Sequence, residues 1–275
     1  MSPTEVLDQA LDFAREISTS AGKVGLGWFR HPVTVGLKED HSPVTEADRA
    51  VEEYLRNRIH GSYPGHAILG EEFGHEGAAG APVWVVDPID GTRSFITGWP
   101  VWGTLVALVQ GDLPHLGVIH LPAMGETWHA RRGGGAYFTD RSGDMRTCRT
   151  SGCHKLSEAR FYTTSPDYFD KDEHRRFTAL SQVVSVQRYG GDCYSYGLLA
   201  SGHVDLVMET RLQPYDFLAL VPVIEEAGGV ITDWQGRGLR LDSGSQVLAA
   251  ATPELHGEAL SLISGRDIGD GHVAG

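Results

Sequence analysis

Val83-Trp84-Val85-Val86-Asp87-Pro88-Ile89-Asp90-Gly91-Thr92-Arg93-Ser94 is the stretch from which fold and chemistry are read. Its four leading residues are apolar and rich in β-branched valine, the character of a buried strand. Pro88 has no N–H to give to a ladder, so the strand is expected to end at Asp87. Asp90 follows three residues later, and two carboxylates then stand at one strand end. Two anions held close repel, and a proton or a cation relieves the repulsion. Hard divalent ions such as Mg²⁺ take carboxylate and carbonyl oxygens. Gly91 and Thr92 would open the next element, where a glycine lets backbone N–H groups approach an anion and a helix start favours phosphate. Taken alone, Asp-Pro-x-Asp-Gly is also an ordinary turn sequence.

Two distant segments change that balance. Leu69-Gly70-Glu71-Glu72 follows a short apolar run, and Gln213-Pro214-Tyr215-Asp216 precedes a helical pattern ending in Glu225-Glu226-Ala227-Gly228-Gly229. Together with the central stretch they resemble the inositol monophosphatase superfamily of metal-dependent phosphatases. The resemblance runs from about Val6 to about Leu262. It implies an α+β fold, a layered αβαβα sandwich of the inositol monophosphatase/fructose-bisphosphatase type. It also implies two or three Mg²⁺ ions, with Mn²⁺ as an alternative, held by Glu71, Asp87, the Ile89 carbonyl, Asp90 and Asp216. Glu71, Thr92 and Asp90 take the catalytic roles, with Glu71 and Thr92 orienting and deprotonating a water that attacks phosphorus directly. The N–H groups of Gly91 and Thr92 hold the phosphate. Asp48 matches an aspartate near an additional metal, and Lys38 a basic residue close by. Relatives are usually homodimers.

Substrate choice lies outside these acids. Arg93-Ser94-Phe95 stands where inositol phosphatases typically carry an asparagine one residue before the aromatic, and Pro100 to Leu105, Arg188 to Tyr194, and Leu212 to Asp216 are similar to the histidinol-phosphate phosphatase branch. Histidinol phosphate carries an ammonium group, which a carboxylate near the metals can bind through a charge-assisted hydrogen bond. Asp192 and Glu209 are the candidates, and Arg93 and Ser94 complete the expected substrate contacts. The ordinary alternatives are a loop-capping aspartate, a strand-end glutamate and a surface arginine. An inositol-phosphate substrate, and a binding protein that retains the pocket without turnover, remain open readings. A two-carboxylate glycosidase leaves Gly91-Thr92 unexplained and needs no Mg²⁺.

Composition sets the frame. The chain has 275 residues, 41% of them hydrophobic, enough for a sizeable interior. Its net charge of −13 argues against a nucleic-acid partner, which demands clustered Lys and Arg. The expected partner is a small phosphorylated metabolite, whose charge bound cations would neutralise. Cys148, Cys153 and Cys193 are too few and too unevenly spaced for a disulfide framework. With no signal-peptide pattern and no run of about 20 apolar residues, a cytoplasmic, membrane-free protein is expected.

Along the chain, Ser2-Pro3-Thr4-Glu5 starts a helix, Val33 to Val35 reads as a strand, and Thr45 with Asp48 caps a helix from Arg49 to Ile59. His66 to Leu69 is a strand and residues 74–82 a loop. Val101 to Val109, Gly117 to Leu121 and Thr127 to Ala130 are strands joined by short turns, so residues 1–148 should hold an antiparallel sheet. Residues 149–263 alternate strand and helix, with strands at 160–164, 183–189, 204–209, 230–232 and 246–251, an α/β half. One helix is expected from Tyr215 to Ala227, kinked by Pro222. Residues 264–275, rich in glycine, read as a disordered tail.

Overall fold

The computed structural model describes residues 2–37 and 43–265. Helix α1 (Pro3–Leu26) opens on a capping box: Ser2 Oγ accepts the Glu5 N–H, and the Glu5 carboxylate accepts the Ser2 N–H. Strands β1 (Val35–Leu37) and β2 (Pro43–Thr45) pair antiparallel, β1 lying two residues later than expected. Helix α2 (Glu46–Ser62) begins at Thr45, whose capping box with Asp48 is formed as read.

The first sheet comprises β3 (Ala67–Gly70), β4 (Gly74–Glu76), β5 (Val83–Asp90), β6 (Gly103–Gln110), β7 (Leu113–Leu121), β8 (Glu126–Arg131), β9 (Ala136–Thr139) and β10 (Met145–Thr147), with the short helix α3 (Thr92–Ile96) after β5. Their order is β10-β9-β8-β7-β6-β5-β3-β4. Part of the expected 74–82 loop is therefore strand. Because the β3–β4 hairpin takes the outer edge, the chain must run back to lie beside β3, and β3 and β5 pair parallel. The sheet is mixed, not wholly antiparallel.

The second sheet holds β11 (Arg160–Thr163), β12 (Val186–Tyr189), β13 (Leu206–Glu209), β14 (Val230–Thr232) and β15 (Val247–Ala250), in the order β12-β11-β13-β15-β14. Helices α4 (Lys171–Ser181), α5 (Asp192–Ala200), α6 (Pro214–Phe217), α7 (Leu220–Glu226) and α8 (Pro253–Ile263) accompany it. Ser264 closes α8, and residues 266–275 of the expected tail lie outside the described residues.

Side-chain alternation assigns the layers. In β5, Trp84 and Val86 pack with α1 and α2, while Val85 packs with α5 and α7. In β15, Val247 and Ala249 face that same middle layer, whereas Leu248 and Ala250 pack with α4 and α8. The result is helix, sheet, helix, sheet, helix, the sandwich expected. With both faces covered, the central strands read as unbroken apolar runs. Cys148, Cys153 and Cys193 are free thiols. Among the described residues no helix is long and apolar enough to cross a membrane.

Two expected boundaries differ. β5 does not stop at Asp87: pairing with β6 is lost at Pro88 and Ile89 and resumes where Asp90 faces Gly103. A bulge accommodates the missing N–H, and Thr104 Oγ1 donates to the Pro88 carbonyl at 2.9 Å. The single helix expected from Tyr215 is broken between α6 and α7. Pro222 cannot donate to the Leu218 carbonyl, so it sits in the first turn of α7, where that N–H is dispensable.

The break lies against the first sheet. Ala107, Gly117 and Ala130 stand side by side on β6, β7 and β8, and a Cβ on Gly117 would lie 2.0 Å from the Ala219 carbonyl oxygen. Backbone on both sides leaves no room to yield. Gly117→Ala should cost about 2–3 kcal/mol of stability through overpacking. Urea unfolding would show this as a lower midpoint at unchanged slope.

Candidate active site

Asp87 continues the face of β5 that Val85 turns toward the middle helices, and the bulge brings Asp90 back beside it. Asp216 enters from α6, at the far side of the same seam. Ligand-capable oxygens of Asp87, Asp90 and Asp216 all lie within 4.8 Å of one another. Glu71, in the turn after β3, lines the same cleft of about 530 Å³ with Asp90 and Asp216. Four acids from three remote segments therefore converge.

Their electrostatics follow from crowding. Burial, then the charges of Glu71, Asp90 and Asp216, hold the Asp87 carboxyl well above the usual range. Burial and the charges of Glu71 and Asp90 raise Asp216 likewise. Asp90 is pushed up to about 7, by burial first and by Asp192 next, although the Cys193 N–H donates to its Oδ2 at 2.7 Å. Asp87 Oδ1 is buried without a hydrogen-bond partner. A buried carboxylate oxygen left orphaned is costly, and a divalent cation meets its need and its neighbours' repulsion together. The donor set, all oxygen, suits Mg²⁺ or Mn²⁺.

Beside the acids, Gly91 adopts φ +82° at the start of α3. A side chain there would be strained, and its Cβ would lie 2.8 Å from Asp192 Oδ2. Gly91 and Thr92 line the cleft, and the opening turn of α3 carries N–H groups that lack intrahelical acceptors. Thr92 Oγ1 lies 3.2 Å from the Ile89 carbonyl oxygen and 3.3 Å from Asp48 Oδ1. Asp48, fully buried, also accepts from the Thr45 N–H at 2.7 Å and the Thr45 hydroxyl at 2.5 Å. It thus belongs with Thr92 and stands outside the three-aspartate group. Lys38 lies outside the described residues.

The remaining wall comes from the second half. Asp192 starts α5 at φ +45°, and its Oδ2 accepts the Ser94 hydroxyl at 2.7 Å. Burial raises its carboxyl above the ordinary value, with Ser94 and Arg93 opposing. Glu209, at the end of β13, accepts the Thr164 N–H at 2.8 Å and the Thr164 hydroxyl at 2.5 Å. Burial, with Asp192 and Asp90 adding, pushes it up to about 8. Arg93 is exposed at the rim, its guanidinium 5.5 Å from the Tyr168 ring centroid. Thr164, Tyr168 and Arg211 were not foreseen. Arg211, a non-glycine residue at φ +63°, lines the cleft, but no residue pattern in the sequence marks it.

The sequence model of the inositol monophosphatase family matches residues 6–266. The bifunctional phosphatase IMPL2, chloroplastic, of Arabidopsis thaliana is 44% identical, over 95% of this chain and 78% of that protein. A histidinol-phosphatase of Chlorobaculum parvum is 36% identical, over 87% of this chain and 91% of its own length. Among solved structures, an inositol monophosphatase from Zymomonas mobilis superposes with a TM-score of 0.84 at 39% identity, covering 96% of this chain and 100% of that one.

Proposed function

This chain belongs to the inositol monophosphatase family, and we propose that, as a metal-dependent phosphatase of that family, it hydrolyses histidinol phosphate to histidinol and phosphate. The observation that carries the choice of ester is the pair Asp192 and Glu209. Neither belongs to the three-aspartate group, yet both line the cleft beside it. A polyol ester offers these two acids only hydroxyl donors, without a charge to match theirs. An ammonium group draws Glu209 into its ionised form and forms a charge-assisted hydrogen bond. The histidinol-phosphatase relatives support the same reading.

Asp87, Asp90, Asp216, Glu71 and the Ile89 carbonyl would hold the ions. Bound Mg²⁺ would supply Lewis acidity toward the phosphoryl oxygens and a lower pKa for a coordinated water. N–H groups of Gly91 and Thr92 bind the phosphate at the start of α3. The Thr92 hydroxyl donates to Asp48 Oδ1 or to the Ile89 carbonyl, and its lone pairs stay available to orient a water. Asp48 fixes that rotamer and can receive a proton passed through Oγ1. Glu71 is the second acceptor at the same place. The Asp192–Ser94 hydrogen bond holds the α3 end against α5 and shapes the specificity side of the cleft. Soluble action in the cytoplasm as a homodimer belongs to the same reading.

A phosphate-release panel over histidinol phosphate, inositol 1-phosphate and adenosine 3′,5′-bisphosphate, with Mg²⁺ and with chelator, tests it. Histidinol phosphate should be turned over fastest, and chelation should stop all release. Equal or faster turnover of the inositol ester would move the chain to the inositol-phosphate reading.

A further inference from the structure

Glu71 stands in the turn between β3 and β4, and one buried carboxylate holds that turn from beneath. Glu52, on α2, is fully buried. Its Oε2 accepts the Glu72 N–H at 2.6 Å, and its Oε1 accepts the Phe73 N–H at 3.2 Å. Oε1 also accepts from Arg56 Nε at 2.8 Å, one helical turn further on. Arg56 in turn donates to the Gly74 carbonyl, pairs with Glu76 at 3.0 Å and lies 5.7 Å from the Phe73 ring centroid. The two residues directly after Glu71, and Gly74 after them, are thus tied to one turn of one helix. Gly70, just before Glu71, completes the fit: a Cβ there would sit 2.0 Å from Glu52 Oε1.

We propose that Glu52, fixed by Arg56, is a positioning residue that presents the Glu71 carboxylate to the metal-binding cleft. The inference rests on reading Glu71 as a metal ligand. A buried charge pair is a costly way to stabilise a hairpin. What it provides is directionality, because a carboxylate accepting two successive N–H groups fixes the backbone orientation of the turn. Glu52 is four residues from Asp48, on the same face of α2. One helix face therefore sets both the Thr92 hydroxyl and the Glu71 turn, the two parts of the cleft assigned to orienting water.

The test is Mn²⁺ binding, followed by the electron paramagnetic resonance of free ion, for the native protein, Glu71→Gln, Glu52→Gln and Gly70→Ala. Loss of an outer partner of a metal ligand typically weakens affinity about 10- to 100-fold, and Glu52→Gln should fall in that range. Gly70→Ala, whose methyl displaces the Glu52 carboxylate, should match it. Amide exchange at Glu72 and Phe73 should accelerate in both, and the KM for substrate at saturating metal should not move. A general loss of structure would not leave that KM intact. If Glu71→Gln weakens Mn²⁺ binding while folded Glu52→Gln and Gly70→Ala bind as tightly as the native chain, the positioning role is wrong and the metal reading stands. If Glu71→Gln itself binds normally, Glu71 is no ligand and the proposal falls with it. Should Glu52→Gln fail to fold, Gly70→Ala decides alone.

Discussion

Asp90→Asn should lower metal-dependent phosphate release by about 10³-fold, the loss expected when several kcal/mol of metal-borne transition-state stabilisation disappear. The fold should survive, because the asparagine oxygen can still accept the Cys193 N–H that Asp90 accepts at 2.7 Å. Without metal the variant should melt at a higher temperature than the native chain. Asp90 is one of three carboxyls whose oxygens share a space of 4.8 Å, and removing one charge relieves repulsion the native chain must carry. Opposite movements of activity and metal-free stability are the signature of a site built for cations. Near-normal turnover with added Mg²⁺ would remove the whole cluster from the chemistry.

The native protein in chelator should lose about 5–10 °C of melting temperature between pH 6.5 and 8.5. Asp90 and Glu209 are raised by burial to about 7 and about 8, from ordinary values near 3.8 and 4.5. An acid with a raised value in the folded state stabilises fully below its unfolded value, and that contribution is lost as pH climbs through the folded one. Below this window the unfolded chain has already released both protons, whereas within it the folded chain gives up that of Asp90 near pH 7 and that of Glu209 near pH 8, so the two together are held over about 2 pH units. Each such group costs about 1.4 kcal/mol per pH unit, and 1 kcal/mol moves the transition by about 2–4 °C at this size. Buried histidines act on the other side of the window. His129 is pushed down to about 3, and His120 and His256 to about 4, by burial. They erode stability only as pH falls below their ordinary 6.5. Saturating Mg²⁺ should flatten the alkaline decline. A melting temperature in chelator that does not vary over this range would refute the raised carboxyls of Asp90 and Glu209.

What could be read in advance was whatever a short motif carries. Glu71 follows a strand end, Asp90 ends a strand and Asp216 lies in the opening turn of a helix, and the sequence shows that locally. Thr45 with Asp48 reads as a cap and is one. The same carboxylate also meets Thr92, forty-four residues on, which no local pattern shows. The strand through Pro88 was misplaced because a proline normally ends a ladder, whereas a bulge carries β5 on to Asp90. The helix around Pro222 was read as kinked because its apolar period continues across a break that only the backbone position of Ala219 makes evident. Glu52 and Gly117 gave no signal at all. A glutamate on an amphipathic helix and a glycine in a strand acquire meaning only from what tertiary packing sets against them.

The last strand among the described residues, β15, lies between β13 and β14 instead of at a rim. During synthesis those two older strands must wait with facing edges unpaired, and the groups that close the cleft near Ser245 arrive just ahead of their filler. Residues bearing Glu71, Asp87 and Asp90 leave the ribosome long before Asp216 and β15 can join them. Competence therefore waits for β15. A nonsense mutation before Val247 removes the middle of a sheet, so its product should go to the proteolytic machinery and not persist as a shortened enzyme.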